Sequence, residues 1–183
     1  TDTGTTAGFT GKAGLGDLLT EIAGFTNIGT IAAGSGSDTF KGLDAESTYI
    51  LDGNDRYTSG GRTLNFGGFE IIRGGSAADR FEIGGQRSYE LYGGAGNDNM
   101  TGDAGEDSMS GGSGADKMDG GADNDIMYGN DDNDTMFGGS GDDWQDGGKG
   151  NDLITDNGGY DTLYGGSGND TVKGGDDDDK IYG

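Results

Sequence analysis

In the second half of the chain a single large apolar residue returns every nine positions, and nearly everything between is small or polar. Met100, Met109, Met118, Met127, Met136, Ile154, Leu163, Val172 and Ile181 keep this period, and they include all five methionines. Counted as position eight, they define ten nonapeptides in unbroken register from Gly93 to Tyr182, with Gln145 the one polar occupant. Position six is always Asp: Asp98, Asp107, Asp116, Asp125, Asp134, Asp143, Asp152, Asp161, Asp170 and Asp179. Position one is Gly except at Asp156, and position two is Gly except at Asp103, Asn130 and Asn157. Asn and Asp are the other residues that best tolerate positive φ, so these departures still fit a left-handed turn.

One inward residue in nine predicts a six-residue turn followed by a three-residue strand whose middle side chain points inward. So short a strand must stack on copies of itself. Two repeats, 18 residues, then close one coil of a flattened right-handed β-solenoid, an all-β architecture. Odd repeats line one side and even repeats the other, with coils roughly 4.8 Å apart.

Upstream the same pattern loosens. Ala33-Gly34-Ser35-Gly36-Ser37-Asp38-Thr39-Phe40 and Gly74-Gly75-Ser76-Ala77-Ala78-Asp79-Arg80-Phe81 copy the nonapeptide, and Gly53-Asn54-Asp55-Arg56-Tyr57 does so more weakly. Asp38, Asp55, Asp79 and Asp98 are 17, 24 and 19 residues apart, close to one coil each, and are expected to line one edge. Longer strands at Thr48–Leu51, Thr63–Phe66, Phe69–Ile72 and Tyr89–Tyr92 would form the other edge. Leu15, Leu18, Leu19 and Ile22 have helix-compatible spacing, so residues 1–33 read as a helical cap or an irregular first rung. The chain thus divides into 1–33, irregular wider rungs over 34–91, and the ten-repeat roll over 92–183.

Composition fits a solenoid. Of 183 residues 44 are Gly and only 29% are hydrophobic, too little apolar material for a conventional core. A net charge of −23 argues against nucleic acid or an anionic membrane as partner, and no segment resembles a membrane span or a signal peptide. The chain starts at Thr1 and stops inside an eleventh repeat, which reads as a piece of something longer. Neither His nor Cys occurs, so soft-metal sites, an HExxH site and a Ser-His-Asp triad are all excluded, and the chain is read as non-enzymatic.

Glycines at positions one, two and four, Asp at six and a large apolar residue at eight resemble the RTX (hemolysin-type) calcium-binding nonapeptide, which builds a parallel β-roll. Gly68-Phe69-Glu70-Ile71-Ile72 leading into Gly74-Gly75 is similar to rungs of large RTX adhesins. The resemblance implies Ca²⁺ between successive turns on each side. Its ligands would be the position-six carboxylates and backbone carbonyls of the turns, among them those of Gly93, Gly96, Gly111, Gly114, Gly138, Gly141, Gly147, Gly150, Gly165 and Gly168. It also implies a bacterial protein that is secreted or held at the cell surface, with type I secretion as the route. Asp123, Asp132 and Asp177 stand where the pattern has Gly at position four, leaving those turns open.

Elementary chemistry reaches the same ion. Ca²⁺ takes six to eight oxygens, and Gly-rich turns offer carbonyls while Asp offers carboxylate. Residues 92–183 carry 22 acidic and 4 basic side chains, a net of −18. About eight ions, one per inter-turn gap, would bring about +16. A row of single inward side chains cannot offset the entropy of ordering so Gly-rich a segment against its own repulsion, so folding and calcium binding should be one equilibrium. Asp38 and Asp79 are further candidate ligands, with turn-capping as the plainer alternative.

Three side features stay open. Arg56, Arg62, Arg73, Arg80 and Arg87, all five arginines, fall in the upstream part; they form either a docking face for an acidic polysaccharide or protein, or simple countercharge. Tyr92, Tyr128, Tyr164 and Tyr182 share the outward ninth position. In repeat six, either Gln145 is buried with Trp144 outside, or a bulge swings Trp144 inward. Two functional readings follow: a calcium-rigidified structural or adhesive segment of a large secreted protein, or the folding and secretion module of an extracellular protease, lipase or alginate epimerase. Position three is never Thr, which removes the flat Thr rank of an ice-binding face.

Overall fold

Nine-residue periodicity becomes an 18-residue coil. The computed structural model describes residues 30–33 and 35–183; the expected cap over 1–33 lies almost entirely outside them. The strands of the upstream part are β1 (Thr30–Ala32), β2 (Thr39–Lys41), β3 (Ser47–Leu51), β4 (Arg56–Ser59), β5 (Arg62–Gly67), β6 (Ile71–Arg73), β7 (Asp79–Ile83) and β8 (Glu90–Ala95). Those of the repeats are β9 (Asn99–Thr101), β10 (Ser108–Ser113), β11 (Lys117–Ala122), β12 (Ile126–Asp131), β13 (Thr135–Ser140), β14 (Trp144–Lys149), β15 (Leu153–Thr155), β16 (Thr162–Ser167), β17 (Thr171–Lys173) and β18 (Lys180–Tyr182).

They form two sheets. A ten-stranded sheet has the order β1-β5-β4-β3-β7-β9-β11-β13-β15-β17, and an eight-stranded sheet the order β18-β16-β14-β12-β10-β8-β6-β2. Odd repeats occupy the first and even repeats the second, and every pair between repeats is parallel. The inward residues stack in two files. One runs Tyr49, Phe81, Met100, Met118, Met136, Ile154, Val172. The other runs Phe40, Ile72, Leu91, Met109, Met127, Gln145, Leu163, Ile181. The five methionines are wholly buried; an unbranched thioether fills the thin core without demanding one shape.

The strands are longer than the pattern predicts. Seven of them, from β8 to β16, run six residues, because the ladder resumes at positions two and three after the three core residues, as in Gly112↔Asn130 and Ser113↔Asp131. Where position two is Asp103 or Asn157, φ is not positive, contrary to the expected left-handed turn, and β9 and β15 stop after three residues. Only Asn130, at φ 79°, adopts the glycine-like conformation.

The upstream part departs from a plain solenoid. β3, β4 and β5 are an antiparallel meander, and β3 joins the coils through parallel pairing with β7. Aromatic rings fill its broader interior, with Phe40 stacked on Phe66 at 4.5 Å and Tyr49 on Phe81 at 4.6 Å. The predicted single edge of Asp38, Asp55, Asp79 and Asp98 does not form. Asp79 opens β7 in the ten-stranded sheet and Asp38 precedes β2 in the eight-stranded one. Asp55 sits in the β3–β4 loop, where its Oδ1 accepts from the Gly53 amide at 3.1 Å. Hydrogen bonding within the antiparallel hairpin reverses the chain there, so sequence distance no longer measures coils.

Candidate calcium sites

Each position-six aspartate precedes a strand at the corner of a coil, and its two carboxylate oxygens have different surroundings. Oδ1 accepts from the backbone amide of the equivalent residue one coil earlier. In one column Asp79 donates to Asp98 (2.7 Å), Asp98 to Asp116, Asp116 to Asp134 and Asp134 to Asp152 (each 2.8 Å), and Asp152 to Asp170 (3.0 Å). In the other, Tyr89 donates to Asp107 and Asp107 to Asp125 (each 2.8 Å), Asp125 to Asp143 (2.7 Å), Asp143 to Asp161 (2.9 Å) and Asp161 to Asp179 (3.1 Å).

Oδ2 has no such partner. In Asp98, Asp107, Asp116, Asp125, Asp134, Asp143, Asp152 and Asp161 it is buried without any hydrogen bond, while Asp79 leaves Oδ1 in that state. These residues are at most 3% exposed. Asp170 and Asp179, in the last coil, are only half-buried. Buried carboxylate oxygens without donors are costly unless a cation answers them. None of the ion pairs between described residues does so, since these join Arg56 to Asp52, Arg80 to Glu82, and Lys149 to Asp131.

Backbone carbonyls converge on the same gaps. A Cβ on Gly93 would come within 2.2 Å of Asp98 Oδ2 and 2.7 Å of the Gly111 carbonyl oxygen. At Gly111, Gly138, Gly147 and Gly165 a Cβ would meet the Oδ2 of Asp116, Asp143, Asp152 and Asp170 at 2.2, 2.5, 2.5 and 2.8 Å. Position one is therefore Gly because its missing side chain leaves room for the carboxylate. Position four has positive φ in all ten repeats, near 107–144° at glycines such as Gly96, Gly114, Gly141, Gly150 and Gly168, and 71–79° at Asp123, Asp132 and Asp177. The turns left open by the sequence keep the same hand, with Asp in the narrower well it tolerates. Carbonyls at this position face the next coil: a Cβ on Gly114 would lie 2.1 Å from Gly96 O, and one on Gly150 1.9 Å from Asp132 O.

Burial, with repulsion from neighbouring carboxylates, raises Asp98, Asp125 and Asp134 from 3.8 to about 7. Burial likewise raises Asp107, Asp116 and Asp161 to about 6, and Asp79 to about 6. Two files of buried, repelling carboxylates backed by carbonyl oxygen form a donor set for hard divalent cations. A family model described as the RTX calcium-binding nonapeptide repeat (4 copies) matches residues 90–118, 110–145 and 146–181, about half the chain. The chain belongs to the RTX calcium-binding nonapeptide-repeat family. No curated protein matches it.

Around the RTX roll, the upstream candidates fare differently. Asp79 continues the first aspartate column directly. Asp38 stands at the head of the second, where its amide donates to Glu70 Oε2 at 3.0 Å in the position a repeat would give to Asp. Asp38 Oδ2 is also without a partner, but Tyr89 then interrupts the column before Asp107. Glu70 was missed because its repeat lacks the Gly-rich turn that marks the others. Also missed was an outer ladder at position five, where Asn97, Asn124, Asn133 and Asn151 accept from amides one coil away.

The arginines do not make one face. Arg73 lies in the eight-stranded sheet, over the Tyr92 ring at 3.9 Å, whereas Arg56, Arg62 and Arg80 lie in the ten-stranded sheet. Tyr92, Tyr128, Tyr164 and Tyr182 do share a row of the eight-stranded sheet, broken by Ser110 and Asp146. Trp144 joins them outside, 4.8 Å from Tyr164, and Gln145 points inward at 0% exposure without a bulge.

Proposed function

We propose that this chain is a calcium-switched structural segment of a larger secreted or surface-attached bacterial protein, exported with its roll unfolded and folded by calcium outside. The observation that carries this reading is the double column of buried aspartates, each holding one oxygen with no donor. Position-six aspartates of successive coils would share an ion, with carbonyls of turn residues such as Gly93, Gly96, Gly111 and Gly114 completing the oxygen set. Four gaps on each side of the ten repeats give about eight ions, and the Asp79–Asp98 gap a ninth. Extracellular calcium near 10⁻³ M fits modules of this kind, which bind at roughly 10⁻⁴–10⁻³ M.

A structural or adhesive role is supported by continuity. The inward file runs from Tyr49 through Phe81 into Met100 without a gap, so the upstream meander and the roll share one core that calcium would stiffen as a unit. Equilibrium dialysis against ⁴⁵Ca tests the reading: about eight or nine ions per chain support it, and a count of one or two would overturn the inter-coil arrangement.

A further inference from the structure

Positions one and eight of the repeat are each broken once, and the structure brings the two breaks together. Asp156 is the one non-glycine at position one, and Gln145 the one polar residue at position eight. Gln145 Nε2 donates to Asp156 Oδ2 at 2.6 Å, with the two residues 0% and 7% exposed. Asp156 Oδ1 accepts from the Asn157 amide at 2.7 Å.

This pair lies in the gap between Asp143 and Asp161, which already resembles every other gap of the roll. There Asp156 adds a third carboxylate. The side-chain oxygens of Asp143, Asp156 and Asp161 lie within 4.8 Å of one another, the one such triple among the described residues. A Cβ on Gly138 would meet Asp156 Oδ2 at 1.8 Å, Asp143 Oδ2 at 2.5 Å and Gln145 Nε2 at 2.6 Å, so these groups converge on one point. Three oxygens of these residues are buried without a hydrogen bond: Asp143 Oδ2, Asp161 Oδ2 and Gln145 Oε1. Hydrogen bonding between Gln145 and Asp156 therefore does not complete the site; it orients the added carboxylate and leaves the amide oxygen over.

We propose that Asp143, Asp156 and Asp161, with the Gln145 amide, form a distinct three-carboxylate calcium site that fills first and sets the point from which the roll is ordered. The inference rests on the inter-coil calcium sites proposed above. Calcium affinity rises with ligand charge count and rigidity, and this gap has one more carboxylate than its neighbours, held by a buried amide.

Terbium, a trivalent oxygen-seeking probe, tests this in the full chain, because Trp144, its one tryptophan, adjoins Asp143 in sequence. Indole-sensitised terbium emission and calcium isotherms would be compared for wild type, Gln145→Met, and Gln145→Met/Asp156→Gly. The double variant rebuilds the Met and Gly of neighbouring repeats and keeps the family's foldable pattern. Wild type should saturate the indole-sensitised signal at the first equivalent. Gln145→Met, which keeps three carboxylates but loses the amide that orients Asp156, should weaken the tight step. The double variant, which also loses the third carboxylate, should weaken it further, by about tenfold or more in all. A double variant with the wild-type isotherm would overturn the site and leave Asp156–Gln145 as a packing pair. Absence of binding in all three would overturn the inter-coil sites as well.

Discussion

At the residue scale the aspartates have a divided role that a point substitution separates. Asp134 offers Oδ1 to the Asp116 amide and donates its own amide to Asp152, so it borders two gaps, whereas Asp179 borders one at the open end. Asp134→Ala should raise the calcium midpoint of folding and lower its cooperativity more than Asp179→Ala; equal midpoints in titrations of the two variants would contradict shared ligands. Proton binding supplies a second check. Asp98, Asp125 and Asp134 rise from 3.8 to about 7 in the folded, metal-free chain because burial disfavours their charge. Their contribution to metal-free stability is therefore fully present below the unfolded value and lost as pH rises through the folded one. In chelator, β structure should increase on acidification from about pH 8 to about pH 5, while in calcium the folding midpoint should move to higher concentration as protons compete. A calcium midpoint that does not move with pH would contradict the placement of these carboxylates in the gaps.

Individual elements show where the sequence was readable. The repeat was fully legible, since Asp at six and an apolar residue at eight obey a period that any coil must respect. Six-residue strands were not, because Gly at positions one and two looks like a turn, yet its backbone rejoins the ladder beyond the bend. The meander was legible in principle. Gly60 and Gly61, at φ 57° and 72°, are a two-residue hairpin turn between alternating strands, and reading Asp55 as a coil marker hid that signal. The site residues were partly legible: spacing found the aspartate columns, but only packing shows that Asp156 answers Gln145, because the two lie 11 residues apart, Gln145 on β14 and Asp156 in the turn just past β15. Position four yields a further prediction. At Gly150, φ is +144° and a Cβ would lie 1.9 Å from Asp132 O. Gly150→Ala should cost about 1–3 kcal/mol or more, whereas Asp132→Gly, already at φ 79°, should change stability by about 1 kcal/mol or less. Thermal melts in saturating calcium would read the difference; similar melting of the two variants would contradict the turn geometry.

For the whole molecule, the charge and the fold have one explanation. The net −23 is concentrated where the coils are thinnest, and each interior aspartate is buried with an oxygen to spare. Such a roll of buried like charges repels itself in the absence of cations, whereas the upstream meander is filled by aromatic rings such as Phe40, Phe66, Tyr49 and Phe81. Calcium titration of the chelator-stripped full chain, followed by far-ultraviolet circular dichroism, tests this most directly. A cooperative gain of β signal near millimolar calcium, above a small metal-free signal from the meander, is the predicted result. A β signal already complete in chelator would contradict it, because the aspartate columns would then be stable without their ions.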